Sequence, residues 1–146
     1  MGKNVVLFSG GIDSFIMYHW LLQKYAEDDI VPIYFDVKSK YSEKEKKVVL
    51  SRIPDTIIDD SLNLGSREAG EKAIIPLRNM LFAIQAMHYG NTIWIAGTGD
   101  DRAEDKTEEA FYLMTEVLNK MTPDDSEQYQ VLSPFWKDTK ADIVKW

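Results

Sequence analysis

A glycine turn near the start of the chain places the strongest restriction on how it can fold. Apolar residues 5–8 have strand character, Ser9, Gly10 and Gly11 follow at once, and a helical pattern begins at Asp13. A helix that starts directly after a buried strand presents backbone amides without intrahelical acceptors at the positive end of its dipole. Such a turn is typical of a binding site for phosphate or another anion.

Two common phosphate-binding motifs do not match this turn. No Gly-Lys-Ser/Thr follows at the spacing of a Walker loop, and Gly-x-Gly-x-x-Gly of the dinucleotide fold is absent. The alternative interpretation is a plain glycine turn whose helix is capped by Asp13 or Ser14. A double glycine alone would favour that interpretation, whereas the full string Ser-Gly-Gly-x-Asp-Ser after a strand favours a phosphate site.

The composition is that of a globular protein. The chain has 146 residues, of which 45% are hydrophobic and 12% aromatic, enough for one domain with a substantial core. No apolar run approaches the roughly 20 residues of a membrane span, and the first residues do not resemble a signal peptide. We therefore expect a cytoplasmic protein.

Cysteine content and charge narrow the classes of function. The chain has no cysteine, which excludes disulfides, a thiolate zinc site and a cysteine nucleophile. Its formal charge is −7, so long-range repulsion disfavours binding of tRNA or DNA. A small-molecule substrate is the better expectation.

Apolar strand patterns alternate with helical patterns along the whole chain. We predict strands at 5–8, 30–35, 56–58, 92–96 and 129–132, and helices at 13–25, 42–50, 77–89, from about 105, and from 139. Ser42 and Glu45 form a predicted capping box at the start of the second helix, and Asp105-x-x-Glu108 is predicted to start the helix from about 105. This alternation indicates an α/β fold, a parallel twisted sheet of about five strands with helices on both faces, Rossmann-like. The polar segments that follow the strands should meet at one rim.

The opening string resembles the PP-loop of the N-type ATP pyrophosphatases, which have an adenine nucleotide alpha hydrolase-like fold. The resemblance implies that ATP and Mg²⁺ are cofactors and that Asp13 helps to hold the metal. It also implies that the loop binds the nucleotide through Phe8, Ser9, Gly10, Gly11, Ile12, Asp13 and Ser14.

Further blocks resemble the 7-cyano-7-deazaguanine synthase family of queuosine biosynthesis. They lie at 33–36, 75–82, 95–97 and 133–141, in the order of that family. The resemblance implies that Asp36 and Gly97 contact the nucleotide and that Arg78 and Lys140 are catalytic cations. For any single lysine or arginine, a solvated charge is the commoner alternative.

The resemblance also implies a reaction. ATP adenylates the carboxylate of a small heteroaromatic acid, 7-carboxy-7-deazaguanine, ammonia displaces AMP to give an amide, and a second ATP drives dehydration to the nitrile. The products are AMP and pyrophosphate.

Three departures from the family pattern leave other functions open. Residues 38–41 and 103–109 differ from the corresponding family segments, and the four zinc-binding cysteines are missing. We expect a single PP-loop domain over 1–146, truncated at its carboxyl end relative to the family and compatible with a homodimer. The alternatives are a tRNA-modifying relative and a nucleotide-binding module without catalysis.

Overall fold

The computed structural model describes residues 3–62, 78–96, 107–122, 128–135 and 142. Within these ranges five strands alternate with four α-helices. In chain order they are β1 (Asn4–Leu7), α1 (Ile12–Leu22), β2 (Ile30–Phe35), α2 (Ser42–Arg52), β3 (Ile57–Asp59), α3 (Arg78–Ala86), β4 (Thr92–Trp94), α4 (Glu108–Lys120) and β5 (Gln130–Leu132). A single 3₁₀ turn precedes β2.

The five strands form one parallel sheet in the order β3-β2-β1-β4-β5. Each neighbouring pair is parallel, with Val5 opposite Val31 on one side of β1 and opposite Ile93 on the other. Parallel neighbours need a crossover connection, and the helices supply it. The α/β fold predicted from the alternating pattern is confirmed.

The strand order reverses direction beside β1. From β1 the chain moves outward through β2 to β3, and then returns to the other side of β1 to form β4 and β5. The connections after β1 and after β4 therefore diverge. In open α/β sheets a crevice forms at the carboxyl ends of such strands, and ligands bind there.

The core lies on both faces of the sheet, because alternate residues of a strand point to opposite faces. Val5 and Leu7 of β1 belong to a cluster that includes buried residues of α3 and α4. Val6 and Phe8 belong to a second cluster that includes buried residues of α1 and α2. In the described part of the chain, two helices thus cover each face, and the predicted placement of helices on both faces is confirmed.

Several element boundaries differ from the prediction. The strand predicted at 56–58 lies one residue later, and β4 ends at Trp94 rather than at residue 96. Helix α1 ends at Leu22 and α3 at Ala86, each three residues before the predicted end. The ends of strands depend on sheet pairing and the ends of helices on tertiary contacts, and a local sequence pattern contains neither.

The capping box predicted at Ser42 is wrong, and the helix predicted from about residue 105 begins at Glu108. The residue before α2 is Tyr41, without a side-chain cap, and Ser42 is already helical. The Ser42 hydroxyl instead accepts a hydrogen bond from the Ser39 amide at 3.0 Å. Helix α4 is capped by Thr107, whose hydroxyl accepts from the Ala110 amide at 3.1 Å. Threonine is a favoured N-cap in its own right. The predicted helix from 139 lies outside the described residues, apart from residue 142.

Candidate functional site

One position in the loop between β1 and α1 (residues 8–11, the β1–α1 loop) has a backbone conformation that requires glycine. The Phe8 amide donates to the Ile33 carbonyl at 2.9 Å, which continues the strand pairing into the loop. Gly10 then adopts φ +85°, and a Cβ there would lie 3.2 Å from a methyl carbon of Val49. A left-handed backbone and contact with α2 both require glycine. The loop therefore packs its main chain directly on α2.

The first turn of α1 has no side-chain cap. Its N-cap is Gly11, and the Phe15 amide donates to the Gly11 carbonyl at 3.1 Å to start the helix. The Ser14 hydroxyl donates to that same carbonyl at 3.2 Å and accepts from the Ser9 amide at 3.3 Å. Capping by Ser14 or Asp13, the alternative interpretation of this turn, is therefore not observed.

The two serine hydroxyls of this turn lie close together. Ser9 Oγ is 3.3 Å from Ser14 Oγ, and Ser9 itself is exposed. Distances above 3.2 Å are long for hydrogen bonds that involve hydroxyl groups, whose common value is about 2.7–2.8 Å. Both hydroxyls can therefore turn toward a ligand oxygen at little cost.

A cavity of about 200 Å³ opens beside this turn at the carboxyl ends of β1, β2 and β4. Its described lining residues are Leu7, Phe8, Ser9, Ser14, Ile33, Tyr34, Phe35, Val37, Ser39, Tyr41, Glu45, Arg78, Asn79, Phe82, Ile95 and Ala96. The predicted rim thus exists, and the cavity is bounded by α1 and α2 on one face of the sheet and by α3 on the other. Typical ligand pockets measure roughly 300–1,000 Å³, so this one can enclose part of a nucleotide.

The structure brings four of the predicted site residues to this cavity: Phe8, Ser9, Ser14 and Arg78. The remaining loop residues that were predicted to bind nucleotide, Gly10, Gly11, Ile12 and Asp13, lie between its lining residues Ser9 and Ser14 in the chain. Ile12 is exposed, and its side chain is not among the lining groups. Gly97 and Lys140 lie outside the described residues, so their predicted roles stay predictions.

Asp36, which was predicted to contact the nucleotide, is buried beside the cavity wall residues of the segment after β2, and its nucleotide contact stays a prediction. Its side chain is 1% exposed, does not line the cavity, and accepts from the Lys38 amide at 3.0 Å and from Lys46 Nζ at 2.9 Å. Burial raises the pKa of this carboxyl, but hydrogen bonds from Lys46, the Lys38 amide and Ser42 outweigh burial and hold the pKa below its ordinary value. Asp36 thus braces the segment after β2, whose residues Ser39 and Tyr41 do line the cavity.

Arg78 stands at the first position of α3, beside an aromatic pair. The rings of Phe35 and Phe82 stack with centroids 5.0 Å apart, and the guanidinium carbon of Arg78 lies 5.8 Å from the Phe82 ring. A guanidinium over an aromatic face is held by a cation–π contact. The arrangement keeps one positive charge at the cavity, where an anionic ligand can reach it.

Sequence reasoning missed a polar pair in the cavity wall. Tyr34 is 6% exposed, and its hydroxyl donates to Glu45 Oε1 at 2.9 Å. Burial and the adjacent Glu45 carboxylate raise the pKa of Tyr34, so the phenol keeps its proton at neutral pH. The signal was present, because Tyr34 alternates with the core residues Ile33 and Phe35 and so points to the face of α1 and α2. Glu45 was instead interpreted as part of a capping box.

The described residues contain no group of three or more histidine, aspartate or glutamate side chains that could hold a metal ion by themselves. Magnesium at nucleotide sites is usually held by one or two carboxylates together with phosphate oxygens and water. A half-buried carboxylate in the first turn of α1, that of Asp13, fits such a role. Its metal contact stays a prediction.

Comparison with known proteins finds a distant relative. No protein-family profile matches the chain. A protein named 7-cyano-7-deazaguanine synthase 1, from Desulfitobacterium hafniense, is 25% identical over 170 aligned positions, which cover 99% of this chain and 76% of the relative. This similarity supports a relationship at the level of a superfamily and makes an enzyme of the synthase type plausible.

No helix among the described ranges is both long enough and apolar enough to cross a lipid bilayer.

Proposed function

We propose that this protein is an ATP-dependent adenylating synthase similar to 7-cyano-7-deazaguanine synthase. It would convert 7-carboxy-7-deazaguanine and ammonia into the nitrile, with release of AMP and pyrophosphate. The proposal is carried by one observation, the cavity where the glycine turn and α1 meet the carboxyl ends of β1, β2 and β4. The similarity to a named synthase along nearly the whole chain supports it.

The β1–α1 loop supplies the groups that such an enzyme needs for the outer phosphates of ATP. Amides of the first turn of α1 point out of the helix, and Ser9 and Ser14 add two hydroxyl donors beside them. Magnesium, when bound, would neutralise part of the phosphate charge, with Asp13 as the protein ligand. Arg78 would stabilise the negative charge that develops during phosphoryl displacement.

The chemistry explains why ATP is required. A carboxylate is a poor electrophile, so its oxygen first attacks the α-phosphorus and pyrophosphate leaves. Ammonia then adds to the acyl carbon of the adenylate, AMP leaves with the C–O bond electrons, and the nitrogen loses one proton to give the amide. In the second cycle the amide oxygen attacks another ATP, pyrophosphate leaves again, and loss of AMP with two protons gives the nitrile.

Pyrophosphate release from ATP and Mg²⁺, measured with and without ammonia and 7-carboxy-7-deazaguanine, tests this proposal. We expect acid-dependent release that falls by about 100-fold or more in Ser9→Ala and Asp13→Ala, because preorganised transition-state contacts are worth that much. Two matched controls are Ser51→Ala and Asp55→Ala, because both residues are exposed and neither is among the described lining residues of the cavity. Release unaffected by Ser9→Ala and Asp13→Ala would contradict the proposal.

A second candidate is a nucleotide-binding module or a diverged relative with another substrate. The identity of 25% and the altered segments at 38–41 and 103–109 favour this candidate. Binding of ATP without turnover, whichever heteroaromatic acid is added, would support it over the synthase. Release that requires tRNA instead of the free acid would indicate the tRNA-modifying form.

A further inference from the structure

The described lining of the cavity contains one carboxylate, Glu45, and one permanent cation, Arg78. Glu45 projects from the first half of α2, and Arg78 from the start of α3 on the opposite face of the sheet. The cavity wall is thus electrostatically uneven. Anionic parts of a ligand are favoured near Arg78 and the start of α1, and hydrogen-bond donors are favoured near Glu45.

Tyr34 holds the Glu45 carboxylate in one orientation. The phenol is buried in β2, and its hydroxyl occupies one acceptor site on Glu45 Oε1 at 2.9 Å. A carboxylate has about four acceptor sites, so its remaining lone pairs can receive hydrogen bonds from a ligand. A fixed acceptor of this kind selects ligands that carry a hydroxyl or amino group at the matching place.

Glu45 lies close to the predicted phosphate loop. One helical turn further along α2, Val49 contacts the position that a Cβ of Gly10 would occupy, at 3.2 Å. One turn of an α-helix rises about 5.4 Å. A carboxylate so placed repels phosphate oxygens but suits the neutral donors that a nucleotide carries next to its phosphates. These donors are the hydroxyls of its ribose.

The acid that directly follows β2 is not available for that role. In dinucleotide-binding folds an acid after the second strand accepts from a ribose hydroxyl. Here that acid is Asp36, which is 1% exposed and occupied by Lys46 and by the Lys38 amide. Glu45 is the carboxylate near the end of β2 that reaches the cavity.

We propose that Glu45 accepts hydrogen bonds from the ribose hydroxyls of the bound nucleotide and that Tyr34 acts as the residue that positions it. This inference rests on the proposed binding of ATP. It identifies a determinant of specificity for ribonucleotides over nucleotides that lack the hydroxyls. It also assigns the ribose contact to α2 instead of to the end of β2.

Dissociation constants for ATP and for 2′,3′-dideoxyATP, measured by calorimetry in the presence of Mg²⁺, test the inference. The wild-type protein should bind the dideoxy analogue about 10-fold more weakly, since a hydrogen bond to a charged acceptor is lost. In Glu45→Ala the two constants should agree within about twofold, because neither nucleotide then has the acceptor. Tyr34→Phe should give an intermediate ratio, because the carboxylate remains but its orientation is no longer fixed.

Glu43→Ala is the matched control, since it removes the same charge from the same helix at a side chain that is 83% exposed. It should keep the wild-type ratio. Glu45→Gln, which keeps a neutral acceptor of the same shape, provides a second variant should Glu45→Ala fail to fold, and its ratio should fall below that of the wild type.

The outcomes separate this inference from the proposed function. A wild-type protein that binds neither nucleotide would overturn the proposed function and this inference with it. ATP binding without preference over the dideoxy analogue, or a preference that survives in Glu45→Ala and Glu45→Gln, would overturn the ribose contact alone. Loss of affinity for both nucleotides by the same factor in Glu45→Ala would also overturn it, because that result indicates a contact elsewhere on the nucleotide.

Discussion

The loops that follow β1 and β2 both present polar groups at the same rim of the sheet, but they use these groups in opposite ways. The hydroxyls of Ser9 in the β1–α1 loop and of Ser14 in the first turn of α1 make contacts of 3.2–3.5 Å. In the segment after β2 (residues 36–41, the β2–α2 loop), Asp36 is 1% exposed and its hydrogen bonds are 2.9–3.0 Å long. The first loop has donors left for a ligand, and the second has largely satisfied its own.

A polar residue that follows a parallel strand is therefore not necessarily a ligand-binding residue. Asp36 and Ser9 both follow β-strands at the same rim of the sheet. Lys46 of α2 reaches Asp36, whereas the hydrogen bonds of the Ser9 side chain within the described residues are with Ser14 and the Gly11 amide of the same turn. Burial and the presence of a partner on the next helix decide which polar group can bind a ligand. Four predictions test this difference between the two loops.

The largest effect is expected at Gly10. Gly10→Ala should lower the free energy of unfolding by about 2–4 kcal/mol, because the left-handed backbone and the contacts with Val48 and Val49 both penalise a Cβ. Gly11→Ala should cost under about 1 kcal/mol, since its φ of −77° suits any residue and its Cβ would lie 3.5 Å from Ser9 Oγ. Urea denaturation of both variants checks the prediction. Equal losses would mean that the turn does not depend on Gly10.

A smaller loss is expected at the β2–α2 loop. Asp36→Asn should lower the free energy of unfolding by about 2 kcal/mol, because a buried, charge-assisted hydrogen-bond acceptor is lost. Asp60→Asn is the control, because Asp60 pairs with Lys38 at 3.6 Å but is 71% exposed, and exposed pairs contribute little. Ser9→Ala should also change stability by less than about 0.5 kcal/mol. A loss at Ser9 as large as that at Asp36 would remove the distinction between the two loops.

Acid should remove the contribution of Asp36 to the stability of the β2–α2 loop. Burial raises the pKa of Asp36, and that of Asp59 at the end of β3, but hydrogen bonds outweigh burial and leave both pKa values below their ordinary position. A carboxyl with a lowered folded-state pKa stabilises the fold above its unfolded-state pKa of about 3.9 and loses that contribution as pH falls toward the folded value. Thermal melts from pH 6 to pH 3 should therefore show a shallower decline in Asp36→Asn than in wild type. The same decline in both proteins would contradict this assignment.

The smallest effect is expected at Lys38. This residue has φ +62°, a left-handed conformation that costs a residue with a Cβ about 1 kcal/mol. The free energy of unfolding of Lys38→Gly should therefore exceed that of Lys38→Ala by up to about 1 kcal/mol. The difference is reduced because glycine loses more chain entropy than alanine on folding. Parallel denaturation of the two variants removes the contribution of the lysine charge from the comparison. Greater stability of the alanine variant would show that the left-handed turn is not maintained.

Much of the fold could be predicted from local sequence, because the chain alternates clearly between two hydrophobic periods. The five strands, the helices and the parallel arrangement all follow from that alternation and from the glycine turn. Helix caps were not predictable in the same way. Ser42 fits the sequence pattern of an N-cap, but in the structure its hydroxyl accepts a hydrogen bond from the Ser39 amide.

The residues of the candidate site also fall into two groups, those that a local motif predicts and those that only tertiary contacts bring to the cavity. Phe8, Ser9, Ser14 and Arg78 were predicted from motifs and do line the cavity, because a motif records which atoms a short segment presents. The Tyr34–Glu45 pair and the contacts that hold Asp36 were not predicted. Each joins residues ten or more positions apart on different elements, and strand alternation indicates only the face to which Tyr34 points.

By itself the sequence determined the order of strands and helices and the backbone of the β1–α1 loop, because hydrophobic period and glycine act over a few residues. Only the tertiary structure decided which carboxylate is buried and which one faces the cavity. Asp36 and Glu45 are chemically alike, and their difference comes from where α2 crosses the end of β2. Burial is a property of the assembled sheet and its helices, so no local pattern contains it.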